Sequence, residues 1–271
     1  MKKFNFQLSL QIVLCSLFLF AFNACQPEDP MVQGEEIIQS DLKANQSDPS
    51  EKVNDFYGPT QPMGNGIVRS VVSINHDGEP VAVGVVFTEK ALENLPDEEL
   101  NLTLQLHSKA EGLIVDHVDF GYNPHGHEGP GFAVEHFDMH FYWISEEEKL
   151  SIPFAIGMDD LPDASIWPEG YGPDVVTVPQ MGRHWLHESS FSSTFDQTFI
   201  YGSYDSEFIF YEPMITMEYL KAKNFEDSYG IIPLGAYAEP AYYANSYEIN
   251  YDSVKKQYRV MLADLFWAGG S

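Results

Sequence analysis

From Phe56 onward, apolar and polar residues alternate in short runs bounded by turn residues. Between 66 and 75, Ile67, Arg69, Val71 and Ser73 face one way and Val68, Ser70, Val72 and Ile74 the other. Asn75-His76-Asp77-Gly78 supplies a hairpin turn, and 81–88 reads as the returning strand. In 100–107, Leu100, Leu102, Leu104 and Leu106 share one face and Asn101, Thr103, Gln105 and His107 the other, the period of a half-buried strand. Further strands are expected over 113–122, 134–144, 198–204, 207–212, 247–251 and 257–262, which are rich in Tyr, Phe and Ile. Residues 89–95, stopped by Pro96, predict a helical turn or two, and 215–223 a short helix. No repeat of fixed period is visible. The pattern therefore predicts a mainly β chain folded as a single antiparallel β-barrel or sandwich-like domain, with one or two short helices, over 56–268. All-β domains of about 200–250 residues are common.

The densest chemistry lies in 122–143, YNPHGHEGPGFAVEHFDMHFYW, which holds four of the nine histidines: His125, His127, His136 and His140. Neutral imidazole is the commonest protein metal ligand. In a strand, His136, Asp138 and His140 point to one face and the apolar Phe137, Met139 and Phe141 to the other. The apolar set belongs against a sandwich core or on the outside of a packed barrel. The polar set then lines a groove, a lumen or solvent. Along a flat strand His136 and His140 lie roughly 13 Å apart, so one ion reaches both only across a bend or bulge. A helix would bring them within about 6 Å, but the aromatic alternation of HFDMHFYW favours the strand.

The glycines and proline after His127 mark a loop able to bring a histidine over a sheet end. His184 and His187 form another pair, in MGRHWLH. Glu212 is the lone carboxylate of an apolar β run and is expected to be inward and paired. The candidate metal residues are therefore His127, His136, His140, His184 and Glu212, with Asp138 orienting an imidazole from behind. The alternative is structural: histidines as satisfied hydrogen-bonding groups, and Glu212 paired with Arg183 or Arg69. For His76, His107, His117 and His187 the structural reading is preferred. None of these spacings is a strong metal signature of the HExxH kind. No Gly-x-Ser-x-Gly and no phosphate-cradling glycine loop occurs.

The first 24 residues read as an export signal: Lys2 and Lys3, then a short apolar core over 8–22. Phe22-Asn23-Ala24-Cys25 resembles the lipobox of bacterial lipoproteins, which makes Cys25 the expected lipidation point. Residues 25–55, polar and poor in aromatics, read as a flexible tether. The expected location is the cell envelope, lipid-anchored at the outer membrane or cell surface. With Cys15 inside the signal, Cys25 is the only mature cysteine, so a metal site must use His, carboxylate or backbone oxygen. The formal charge is −27, and −29 once a signal carrying two lysines and no acids is removed. That argues against a nucleic-acid surface, which is built from Lys and Arg. The expected partner is the membrane, through the lipid, with a protein partner or a second copy left open.

GPTQPMGNGIVRS, GEPVAVGVVFTEKALENLP, NPHGHEGPG, HFDMHFYW, PQMGRHW and FIYGSYDSEFIFYEPMIT occur in that order, followed by SYEINYD and YRVML. As a set they resemble a family of uncharacterised exported bacterial proteins, a domain of unknown function with a representative in Thermus, over about 58–265. The resemblance implies a β-rich exported domain and no defined activity.

Two functions compete on these residues. One is a His/Glu pocket for a divalent metal (zinc, manganese, iron or copper). The other is a non-catalytic binding or assembly module of the cell envelope with structural histidines. A metal pocket requires at least three donor atoms within about 4–5 Å of one another. A module predicts scattered histidines and a broad exposed apolar patch.

Overall fold

The computed structural model describes residues 53–129, 131–191, 195–223 and 225–270. The signal and nearly all of the tether lie outside the described residues. In chain order the strands are β1 Asn54–Tyr57, β2 Gln61–Met63, β3 Gly66–Ile74, β4 Pro80–Thr88, β5 Leu100–Gln105, β6 His117–Asn123, β7 His136–Tyr142 and β8 Ala155–Ile156. They continue as β9 Tyr171–Val178, β10 Gly182–His187, β11 Gln197–Tyr204, β12 Glu207–Thr216, β13 Glu226–Gly230, β14 Ala241–Tyr243, β15 Ser246–Asp252, β16 Gln257–Ala263 and β17 Phe266–Ala268. Two α-helices, α1 Glu146–Ser151 and α2 Met217–Ala222, complete the set with short 3-10 turns.

The strands form two large antiparallel sheets. One runs β1-β3-β4-β16-β15-β13, with β2 also paired to β3; the other runs β5-β6-β7-β12-β11-β10-β9-β8. Neither closes on itself among the described residues, so the fold is sandwich-like rather than a barrel. Period-two side chains from both sheets meet in one core. Val68, Val72, Val85, Phe87, Val260 and Leu262 come from the first sheet. Leu104, Phe120, Phe137, Met139, Phe141 and Tyr211 come from the second.

The expected hairpin at 66–88 is present, with Asn75 Oδ1 accepting from the Asp77 and Glu79 amides to build its turn. Helical expectations shift. Glu89–Leu92 is a 3-10 turn, and the strand before α2 extends through Thr216, whose side chain caps the helix by accepting from the Tyr219 amide. The strand expected from 113 starts at His117; Leu113 instead bridges to Tyr242.

The outer face of the eight-stranded sheet positions the site. β7 is buried along its whole length. Its inner side chains enter the core, and its outer ones, His136, Asp138, His140 and Tyr142, are covered too. α1 lies near the Tyr142 end, started by a capping box in which Ser145 and Glu148 satisfy each other's backbone amides. Ile152, following α1, packs with Tyr142, Ile209 and Phe210. Phe132 packs with Ile200 and Met214, with Leu186 and Phe195 against them.

Candidate metal centres on the outer sheet face

Cross-strand register assembles two groups of donors. β12 pairs with β7 so that Phe210 meets Tyr142 and Met214 meets Asp138, which places Glu212 opposite His140. On the other side of β12, Glu212 meets Ile200 of β11, and Gly202 of β11 meets His184 of β10. His184 sits at an irregularity, because Arg183 pairs with Thr177 and Trp185 with Pro173. Such bulges re-aim side chains and are frequent beside functional sites. Gly202 is required here. A Cβ on it would lie 1.9 Å from the Phe210 ring, the ring that packs edge-on against both His140 and His184.

In the first group, His127, His136 and Asp138 offer atoms that all lie within 4.8 Å of one another. His136 Nδ1–H donates to the Val134 carbonyl at 2.6 Å and His127 Nδ1–H to the Glu128 carbonyl at 2.9 Å. A carbonyl only accepts, so both rings carry a proton on Nδ1 and turn Nε2 toward Asp138, at 3.0 Å from His136 and 3.5 Å from His127. Asn123 supports the carboxylate by donating to Oδ2 at 2.6 Å, whereas Oδ1 is buried without a hydrogen-bond partner. A neutral Nε2 and a carboxylate oxygen are both acceptors, so a proton or a cation must lie between them. Burial opposes charge on His127, but hydrogen bonding to Asp138 and that carboxylate's own charge outweigh it and raise the imidazole above its ordinary value. Burial likewise opposes charge on Asp138, and the two neighbouring imidazoles overcome it and hold the carboxyl well below the usual range.

The second group is His140, His184 and Glu212, again within 4.8 Å of one another. His140 Nε2 is 3.4 Å from Glu212 Oε1 and His184 Nε2 is 3.6 Å from Oε2. This group is drier: the Glu212 side chain is 2% exposed, and its Oε2 and His140 Nε2 are buried without a hydrogen-bond partner. Burial pushes His140 down, and His184 to about 3; burial, with the Asp138 charge nearby, pushes Glu212 well up. Without a cation, burial favours the neutral form of all three groups.

A third polar cluster on the same face carries its own cation. Asp119 lies directly across from His140 and is bonded by the buried Lys149 ammonium and by Thr103 Oγ1 at 2.8 Å. Next to it, buried His117 bonds Asp116 through Nδ1 at 2.9 Å. Here a lysine supplies a permanent positive charge, and neither of the first two groups contains a lysine or arginine.

All five residues expected as ligands lie in these two groups, divided between them, and Asp138 faces two imidazoles directly. The ion pairs considered for Glu212 do not form: Arg183 binds Asp160 at 2.7 Å, and Arg69 lies over the Tyr57 ring. His125 and His76 are exposed beside Asp97 and Asp77, His107 packs on Phe56, and His187 bonds Ser189. The sequence reading passed over Asn123, Asp119 and Lys149. The cross-strand pairs Asn123–His136 and Asp119–His140 reveal the first two, and the bond to Asp119 reveals Lys149.

The chain is thus a sandwich-like β domain bearing two groups, each of two histidines and one carboxylate, that could hold a metal ion. A family model described as "TTHB210-like: Hypothetical protein TTHB210" matches residues 75–122, from the first hairpin turn through most of β6. That makes this part of the chain similar to an uncharacterised domain with a Thermus representative. No curated protein and no solved structure matches the chain.

Proposed function

We propose that this chain is an exported, lipid-anchored domain that binds divalent metal at His127/His136/Asp138 and at His140/His184/Glu212. The observation that carries the reading is the convergence of four imidazole Nε2 atoms on two carboxylates of which each retains an unpartnered buried oxygen. Lys149 beside Asp119 is the internal contrast, a carboxylate on the same face already neutralised by the protein. Two histidines and one carboxylate suit zinc in its three-ligand form and non-haem iron(II), both of which keep open positions. Asp138 and His140 are two residues apart on one strand, about 6.6 Å along the backbone, and the two donor sets share no residue, so the reading gives each group its own ion. A bound ion would supply an activated water or an oxygen-binding position. The protein's own part is to fix the imidazole tautomers through the Val134 and Glu128 carbonyls and to keep both carboxylates dry. Anchoring through Cys25 belongs to the same proposal and rests on the sequence of residues 1–25.

Metal content by mass spectrometry on untagged protein tests this directly. Wild type should carry two equivalents, and His136→Ala and His184→Ala one each. Folded wild type that stays metal-free in zinc, manganese, iron and copper would sink the reading.

One observation favours the second reading, a binding or assembly module. Phe154, Ile156, Met158 and Val175 are all exposed around the edge strand β8. An Ile156→Lys variant with unchanged sedimentation and unchanged cell-envelope association would remove that support.

A further inference from the structure

Apart from both metal groups, a cavity of about 410 Å³ opens beyond the end of β7. Its size falls within the range of small-ligand sites, about 300–1,000 Å³. Four aromatic side chains line it: Trp143, Phe208, Tyr237 and Tyr243. Tyr243 is buried and forms the centre, with its ring centroid 5.5 Å from Trp143 at 81° between planes and 4.3 Å from Tyr237 at 45°. Rings set at such angles make a corner rather than a flat stack. The rest of the lining includes four carboxylates, Glu148, Asp163, Glu207 and Glu239, and no lysine, arginine or histidine. Glu148 and Asp163 already accept hydrogen bonds from Ser145 and Ser165. A further observation comes from the wall itself: the Trp143 indole N–H is buried and has no acceptor among the described residues.

We propose that this cavity is a binding site for a small organic ammonium ion, held over aromatic faces and drawn in by the acidic rim. Aromatic faces attract cations within about 6 Å of the ring centroid, and most strongly when the pair is removed from water. The carboxylates add long-range attraction and disfavour anions. None of the metal-group residues lines the cavity, so the proposal stands independently of metal binding.

The test is calorimetric titration of the full-length chain, purified in a neutral detergent, with choline and with 3,3-dimethyl-1-butanol, its uncharged isostere. Choline should bind roughly tenfold more tightly than the isostere, the scale of one desolvated cation–π contact. Trp143→Leu should abolish choline binding. Because Trp143 packs on Tyr211, a second variant keeps the test independent of folding: Glu207→Gln combined with Glu239→Gln, both exposed, should weaken choline severalfold and leave the isostere unchanged. Equal binding of the two probes, no binding by folded wild type, or undiminished choline binding by the double variant each overturns the proposal.

Discussion

Glu212 lies opposite His140 on the neighbouring strand, with Oε1 3.4 Å from Nε2 and both side chains buried. In the metal-free protein burial favours the protonated form of this carboxyl, so a neutral amide of the same shape costs little. Glu212→Gln should therefore leave the melting temperature of metal-free protein unchanged or raise it, and should abolish the increment that added metal gives the second group. Ligand-linked stabilisation grows with concentration over Kd, about 2.7 kcal/mol at a hundredfold excess. Thermal melts with and without zinc read this out. A large loss in the metal-free variant would mean that Glu212 is a structural carboxylate.

The two groups predict separable stoichiometries. Asp138→Asn removes the charge that His127 and His136 share while keeping the shape that Asn123 contacts. Equilibrium dialysis should show loss of one equivalent and retention of the other. Loss of both would mean that the six residues act as one centre.

In metal-free protein the buried groups give stability an optimum in pH. His184 is held near 3 against an ordinary 6.5, and His140 is lowered too. Below about 6.5 the unfolded chain takes up protons that these folded histidines refuse, so stability falls as pH drops from 6.5 toward 3. Glu212 is raised above its ordinary 4.5 and opposes them over part of that window, one group against two. Above about 6.5 the sign reverses. The raised His127 loses the proton that favours its contact with Asp138. Urea midpoints of metal-free protein should peak near pH 6.5 and, with metal bound, should peak higher. A metal-free optimum two or more pH units away would contradict the assigned directions.

Gly202→Ala tests the packing under His184. The new methyl would meet the Phe210 ring at 1.9 Å and displace it from His140 and His184. Overpacking of this kind costs typically 1–3 kcal/mol. Denaturant melts should register that loss, along with weaker metal affinity in the second group and little change in the first.

Much of this arrangement was readable from the chain. Alternation named a strand over 134–144 and put Phe137, Met139 and Phe141 on one apolar face, against a sandwich core or outside a barrel; the structure has the strand at 136–142 and that face in the core. The flat-strand spacing argued against one ion bridging His136 and His140, and the two fall in different groups. The partners were not readable. That Glu212 meets His140 depends on the register of β12 against β7, and that His184 meets both depends on an irregularity between β9 and β10. Neither leaves a mark within a local window. β9, the β8 edge and α1 were missed because their segments carry prolines, glycines or acid runs rather than clean periodicity. Lys149, buried within the acidic EEEKLS helix, is a case in which composition points outward and a single ion pair points inward.

Strand β7 has no solvent-facing side to spare, since all seven residues are buried. A slip of one residue against β6 or β12 would drive His136, Asp138 and His140 into the apolar interior and turn Phe137, Met139 and Phe141 onto the polar face. The chemistry-bearing residues thus act as an alignment key, penalising every slip of the central strands by an odd number of residues. Mutations that soften this key by making β7 uniformly apolar should give chains that still collapse but lose a unique strand alignment.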